Sequence, residues 1–151
     1  MKKKSDTHVY YNKRRRGSTV GKYKTGNFIS EKNNSTFVYR SAYEYAYLLK
    51  LEADVSVVNY IVEPFNIAYF DGKRKRSYKP DIVVLRVNGS IEVIEIKPKA
   101  MLMNEIVQRK AAAARSFIKR NFKNATVEYK FITEEDIFSN SKEYTEILKT
   151  I

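Results

Sequence analysis

Residues Ser77–Lys99 read SYKPDIVVLRVNGSIEVIEIKPK. Two apolar runs flank an Asn-Gly pair, the pattern of a β-hairpin. Yet Asp81 opens the first run, and Glu95 and Lys97 close the second. The loop length decides what these charges do. A two-residue turn at Asn88-Gly89 pairs Val87 with Ser90 and sends Asp81 and Glu95 to opposite faces. A three-residue loop, Val87-Asn88-Gly89 with Gly89 left-handed, pairs Arg86 with Ser90 and sets Asp81 directly opposite Glu95. A bulge in either strand has the same effect.

Along the second run Glu95 and Lys97 share a face with Val93, while Ile94 and Ile96 point to the other, core face. Two opposed carboxylates repel one another. A bound divalent cation turns that cost into affinity, and Mg²⁺ takes oxygen ligands, typically one or two carboxylates with water and phosphate. A neighbouring lysine can orient or deprotonate an attacking water and stabilise charge developing on a phosphate. The bland alternative makes Asp81 a turn residue after Pro80, and Glu95 and Lys97 an exposed cross-strand network.

Composition narrows the chemistry. The chain has 151 residues, 43% hydrophobic and 30% charged, enough for one folded domain. Cysteine is absent, which excludes disulfides, zinc-thiolate sites and thiol catalysis. The one histidine, His8, lies in a basic segment, which removes the commonest general base and most transition-metal sites. No apolar run approaches the ~20 residues of a membrane span. The opening MKKKSDTHVYYNKRRR has no apolar segment after its basic residues and does not read as a secretory signal.

The net charge is +12. Residues 1–27 hold nine Lys/Arg against Asp6, leaving +8, and the remaining 20 basic and 16 acidic residues leave +4. Residues 1–35 read as a basic, extended or partly disordered arm, and residues 36–151 as the folded domain. Tyrosines Tyr10, Tyr11 and Tyr23 interleave the cations, so Lys13, Arg14, Arg15 and Arg16 are candidate nucleic-acid contacts. A solubilising tail is the alternative.

Elsewhere the chain reads as helix, strands and turns in alternation. Ser41 and Glu44 make a capping box for a helix over 41–53, with Ala42, Tyr45, Ala46, Leu48, Leu49 and Ala53 on one side. VVNYIVEPFNIAYF (57–70) is extended and interrupted at Pro64, and FDGK signals a hairpin. KRKRSYKPDIVVLRV (73–87) reads as one strand with a very basic start. Pro98 ends the next strand, and an alanine-rich basic helix follows within 101–122. ATVEYKFI is a strand, Thr133 caps a short helix, and residues 142–151 form a terminal one. The order is α-β-β-β-α-β-α, a mixed central sheet flanked by helices. Lys73, Arg74, Lys75 and Arg76 suit phosphate contacts, as does Lys110, for which a solvated helix face is an equal explanation.

Pro80-Asp81 and Glu95-Ile96-Lys97 resemble the motifs of the PD-(D/E)xK nuclease superfamily. Residues 39–81 and ATVEYKFITEEDI are similar to the N-terminal endonuclease domain of TnsA-type transposition proteins. The lead-in YKTGNFISEKNNSTFVYRSAYEY (23–45) most resembles phage head-completion nucleases. The resemblance covers about residues 21–138. It implies a restriction-endonuclease-like core of α/β class that hydrolyses DNA phosphodiesters with Mg²⁺, Mn²⁺ being a substitute. It further implies Glu44, Asp81, Glu95 and Lys97 as catalytic residues, with Glu44, Asp81, Glu95 and the Ile96 carbonyl as metal ligands. The capping box is by itself a complete structural explanation of Glu44. The implied partners are DNA and phage head, portal or neck proteins, with no membrane and no small-molecule cofactor. The implied location is the host cytoplasm during phage assembly or the virion, without secretion. A non-catalytic DNA-binding or virion assembly protein on the same fold is the alternative.

Overall fold

The computed structural model describes residues 10–11 and 24–151. They fall into two compact units, one formed by residues up to 53 together with 137–151, the other by residues 54–136. None of the described helices is long and apolar enough to cross a membrane.

In the first unit β1 (Tyr10–Tyr11) pairs with β2 (Lys24–Ser30), and β2 makes an antiparallel hairpin with β3 (Ser35–Tyr39). Residues 24–35 of the expected arm are therefore a strand and its turn. Helix α1 (Ala42–Ala53) starts where expected. The Glu44 amide donates to Ser41 Oγ at 3.1 Å, and the Glu44 carboxylate accepts from the Arg40 amide at 2.7 Å. The box thus closes one residue upstream of its usual partner. The buried face of α1 differs from the one expected. Tyr47 and Leu51 are buried with Ala42, Ala46 and Leu48, whereas Leu49 and Ala53 are exposed. At the C-terminal end of the chain, α4 (Ser141–Leu148) brings Tyr144 to Tyr43 of α1, with ring centroids 5.7 Å apart.

The second unit is built on a four-stranded sheet of order β4-β7-β8-β9, formed by β4 (Val57–Val62), β7 (Ile82–Arg86), β8 (Ile91–Ile96) and β9 (Val127–Ile132). The first three are antiparallel, and β9 joins β8 in parallel after the crossover helix α2 (Glu105–Asn121). The sheet is mixed and the chain α/β, as in restriction-endonuclease-like folds. Asn104 caps α2, its side chain accepting from the amides of Ile106 and Val107. The alanines of α2 let it lie close to the sheet, where Ala111, Ala114 and Ile118 form a core with Val93, Tyr129 and Ile67. A short α3 (Glu134–Ile137) follows β9, with Thr133 Oγ1 accepting from the Glu135 amide.

The run 73–87 is not one strand. Lys75–Tyr78 forms β6, which among the described residues pairs only with β5 (Ile67–Phe70), in a separate two-stranded ribbon. Pro80, which has no amide hydrogen to donate, separates β6 from β7.

The β7–β8 hairpin takes the three-residue loop. Ile82 pairs with Ile94, Val83 with Val93 and Leu85 with Ile91. The Arg86 amide donates to the Ser90 carbonyl at 2.9 Å, and the Gly89 amide to the Arg86 carbonyl at 3.0 Å. Gly89 sits at φ +85°, where a side chain is strained although no atom stands in its way. Gly89→Ala should cost roughly 1–2 kcal/mol, a fall in melting temperature of about 2–8 °C for a chain of this size. Thermal melts of the two proteins check this.

Candidate active site

Asp81 lies just before β7, where Pro80 and the Asp81 amide hold it: that amide donates to the Ile94 carbonyl at 3.1 Å. The hairpin pairing ends at Ile82 and Ile94, and Asp81 and Glu95 lie one residue beyond it, near enough for the charge of Asp81 to act on Glu95. The Asp81 Oδ2 accepts from the Ile96 amide at 2.6 Å, which locks the acid against β8. Glu95 lies on the α2 side of the sheet with Val93, only 4% exposed. Lys97 follows at the strand end, its amide donating to the Ile132 carbonyl at 3.0 Å and its Nζ 3.6 Å from Glu95 Oε1. The structure thus brings together Asp81, Glu95 and Lys97, three of the four expected catalytic residues.

Glu44, the fourth, belongs to the first unit, at the start of α1, where its carboxylate serves the helix end. Of Ile96, the amide serves Asp81.

The two acids tolerate their neighbourhood at a cost. Burial pushes the carboxyl of Asp81 up to about 6, although the Ile96 amide and Lys97 oppose the rise. Burial, with the charge of Asp81 added, pushes Glu95 up to about 8, against the pull of Lys97 and Lys110. The inner oxygen of Glu95, Oε2, is buried without a hydrogen-bond partner. Such an atom normally finds a donor, an ordered water or an ion. A hard cation taking oxygen ligands fits this donor set. Among the described residues no three acidic or histidine side chains converge into a cage for a metal ion. Ligation here would draw on Asp81 and Glu95 with backbone, water or phosphate oxygens.

Sequence reasoning missed three neighbours of the pair. Glu63, at the end of β4, donates its amide to the Asp81 carbonyl at 2.9 Å, and its charge raises Asp81 further. It adopts φ +49°, uncommon for a glutamate. The available signal was an acid closing an apolar strand immediately before Pro64. Tyr78 and Tyr129 line the acid pair; burial, then the charge of Glu95, raises both phenols. The buried Tyr129 hydroxyl lies against that of Tyr78. Nothing in their spacing marked these tyrosines as more than strand residues.

Lys110 is placed better than a solvated helix face requires. Its Nζ lies over the rings of Tyr69 and Tyr78, at 5.5 and 5.2 Å from their centroids. Burial, and then the charge of Lys97, lowers its pKa, while Glu95 and Asp81 pull the other way. A second ammonium group thus stands by the acid pair. Gln108, by contrast, donates to the Leu102 carbonyl and serves the helix start. Lys73, Arg74, Lys75 and Arg76 are exposed on the β5–β6 ribbon, and Arg76 pairs with Asp71. Lys13, Arg14, Arg15 and Arg16 lie outside the described residues.

Two buried carboxylates at the end of an antiparallel pair, with a lysine two residues beyond the second, match the residue pattern of the PD-(D/E)xK nuclease class. The family described as TnsA-like endonuclease N terminal matches residues 54–134, more than half of the chain, and the chain belongs to that family. The match covers nearly all of the second unit, with Asp81, Glu95, Lys97 and Lys110 inside it and Glu44 outside. No curated protein matches the chain. An endonuclease domain implies DNA as the substrate, and families of metal-dependent nucleases generally use divalent metals.

Proposed function

We propose that this chain is a DNA endonuclease dependent on Mg²⁺, with Mn²⁺ able to substitute. The observation that carries the reading is the buried Asp81–Glu95 pair at the end of the β7–β8 hairpin, with Lys97 Nζ 3.6 Å from Glu95. Asp81, Glu95 and the Ile96 carbonyl would hold the cation. When bound, it supplies positive charge to polarise the phosphate and to lower the pKa of a coordinated water. Lys97 orients the attacking water and offsets the charge that develops on the phosphate oxygens. Lys110 adds a second positive group for the same charge. Water adds to phosphorus, one P–O ester bond breaks, and the leaving oxygen gains a proton, giving a phosphomonoester and an alcohol. Glu44 is proposed as a further catalytic acid and metal ligand on its match to the first-helix acid of the superfamily.

The work of the enzyme is proposed to be DNA processing during phage head completion, in the host cytoplasm or the assembling virion, with head, portal or neck proteins as partners. This part of the proposal rests on the resemblance read in the sequence of residues 23–45. The test is cleavage of linear, nicked and branched DNA with and without Mg²⁺ or Mn²⁺. The parent chain should cut only with the cation, and Lys97→Ala should cut about 100-fold or more slowly. Equal cleavage by Lys97→Ala would remove lysine from the mechanism. DNA binding without cleavage in either metal would favour a binding protein on a nuclease fold.

A further inference from the structure

The β5–β6 ribbon stands outside the central sheet, its strands pairing, among the described residues, only with each other. Its two faces are unlike. On one, Ile67 is buried and Tyr69 and Tyr78 hold Lys110. On the other, Ala68, Phe70, Lys75 and Ser77 are all exposed, Phe70 by 53%.

The turn between the strands is tightly built. Asp71 Oδ1 accepts from the amides of Lys73 and Arg74 at 2.7 and 2.9 Å, and Oδ2 pairs with Arg76. Gly72 takes φ +102°. The acid of the turn is therefore spent inside it. Among the described residues Lys73, Arg74 and Lys75 have no acidic partner. Arg109 of α2 braces the tip from behind, its guanidinium 5.7 Å from the Phe70 ring and its Nη1 donating to the Phe70 carbonyl at 3.5 Å. A rigid two-stranded ribbon with three unpaired cations and an exposed aromatic ring complements a polyanion with apolar surface between its charges.

We propose that this ribbon enters the major groove of the DNA, with Lys73, Arg74 and Lys75 on the phosphates and Phe70 against the sugar and base edges. The proposal rests on the reading of the chain as a DNA-cutting enzyme. Of the two grooves of B-DNA, the major one, roughly 12 Å wide, admits a two-stranded ribbon. The base of the ribbon lies at the site, since Tyr78 borders Asp81 and Glu95. Arg74 is four residues from Tyr78, a reach of roughly 13 Å at about 3.3 Å per residue. Along a duplex with about 3.4 Å per base pair, the tip then grips roughly four base pairs from the scissile phosphate. Phosphate contacts fix position without reading sequence, so the ribbon acts as a spacer.

The test uses the full chain and a duplex in Ca²⁺, which supports binding without turnover. The triple variant Lys73→Ala, Arg74→Ala, Lys75→Ala should bind about 10- to 100-fold more weakly, and its slope of log affinity against log salt should shrink by about 2.7. Phe70→Ala should weaken binding severalfold with the slope unchanged. Because the chain has no cysteine, Arg74→Cys provides a unique thiol for an iron chelate. Its strand scission should centre about four base pairs from the Mg²⁺-dependent cut of the parent chain. Unchanged affinity and slope in the triple variant overturn the ribbon proposal while Asp81-dependent cleavage stands. Ribbon-dependent binding by a chain that cuts no DNA upholds the ribbon and overturns the nuclease reading. A parent chain that binds no DNA overturns the ribbon proposal.

Discussion

The Asp81→Ala protein is expected to bind DNA at least as tightly as the parent chain while cutting it about a thousandfold or more slowly in Mg²⁺. Two terms set the direction. Asp81 stands beside Glu95 at the end of the β7–β8 hairpin, so its removal dismantles the acid pair proposed to carry the chemistry. It also removes a negative charge from beside the phosphate path, so binding does not suffer. The substitution forfeits the hydrogen bond from the Ile96 amide, which costs about 1 kcal/mol, and removes a burial penalty of the opposite sign. Asp81→Asn separates charge from packing, because its amide oxygen still accepts from Ile96, and it should be as inactive. Cleavage and binding assays on both variants check this. Cleavage surviving in both would place the chemistry elsewhere.

The second large effect concerns pH. Burial raises the carboxyl of Asp81 from 3.8 to about 6, and that of Glu95 from 4.5 to about 8. The folded chain therefore holds these protons more tightly than the unfolded chain does. Below the ordinary carboxylate range both states are protonated and the pair costs nothing. As pH rises through that range the unfolded chain ionises first, and stability falls until the folded acids have also ionised, near pH 8. Without divalent cation, stability should thus drop by roughly 2–5 kcal/mol between about pH 4.5 and pH 8, or about 5–15 °C in melting temperature. A bound cation favours both carboxylates in their ionised form, so Mg²⁺ or Ca²⁺ should recover most of the loss at pH 8. Glu95→Gln should flatten the metal-free profile. A profile in the parent chain as flat as that of Glu95→Gln would show that the buried acid is not strained.

Much of this was legible in the chain because it rested on local rules. The hairpin register followed from the spacing of Asp81 and Glu95 together with a glycine able to take positive φ, and the observed pairs obey it. The crossover helix, the strand ATVEYKF and the caps at Ser41 and Thr133 also follow short-range chemistry. The misses were long-range. KRKRSYKPDIVVLRV carries its one break at Pro80, and only pairing reveals that β6 belongs with β5 and β7 with β4 and β8. The buried face of α1 depends on what covers it, so Leu51 and Tyr47 replaced Leu49 and Ala53. Tyr78 and Tyr129 reach the site through the fold alone, and Glu63 had only its place before Pro64 to mark it.

The turn at Gly89 has a consequence for descent. The register of the hairpin that carries Asp81 and Glu95 at its end is imposed by a loop far from either acid, through Arg86, Ser90 and a left-handed glycine. The acids exploit that register and do nothing to create it. A lineage that lost one of them would keep its sheet, and relief of the buried charges would make it sturdier. Inactive descendants with intact architecture are therefore easy to reach by single mutation.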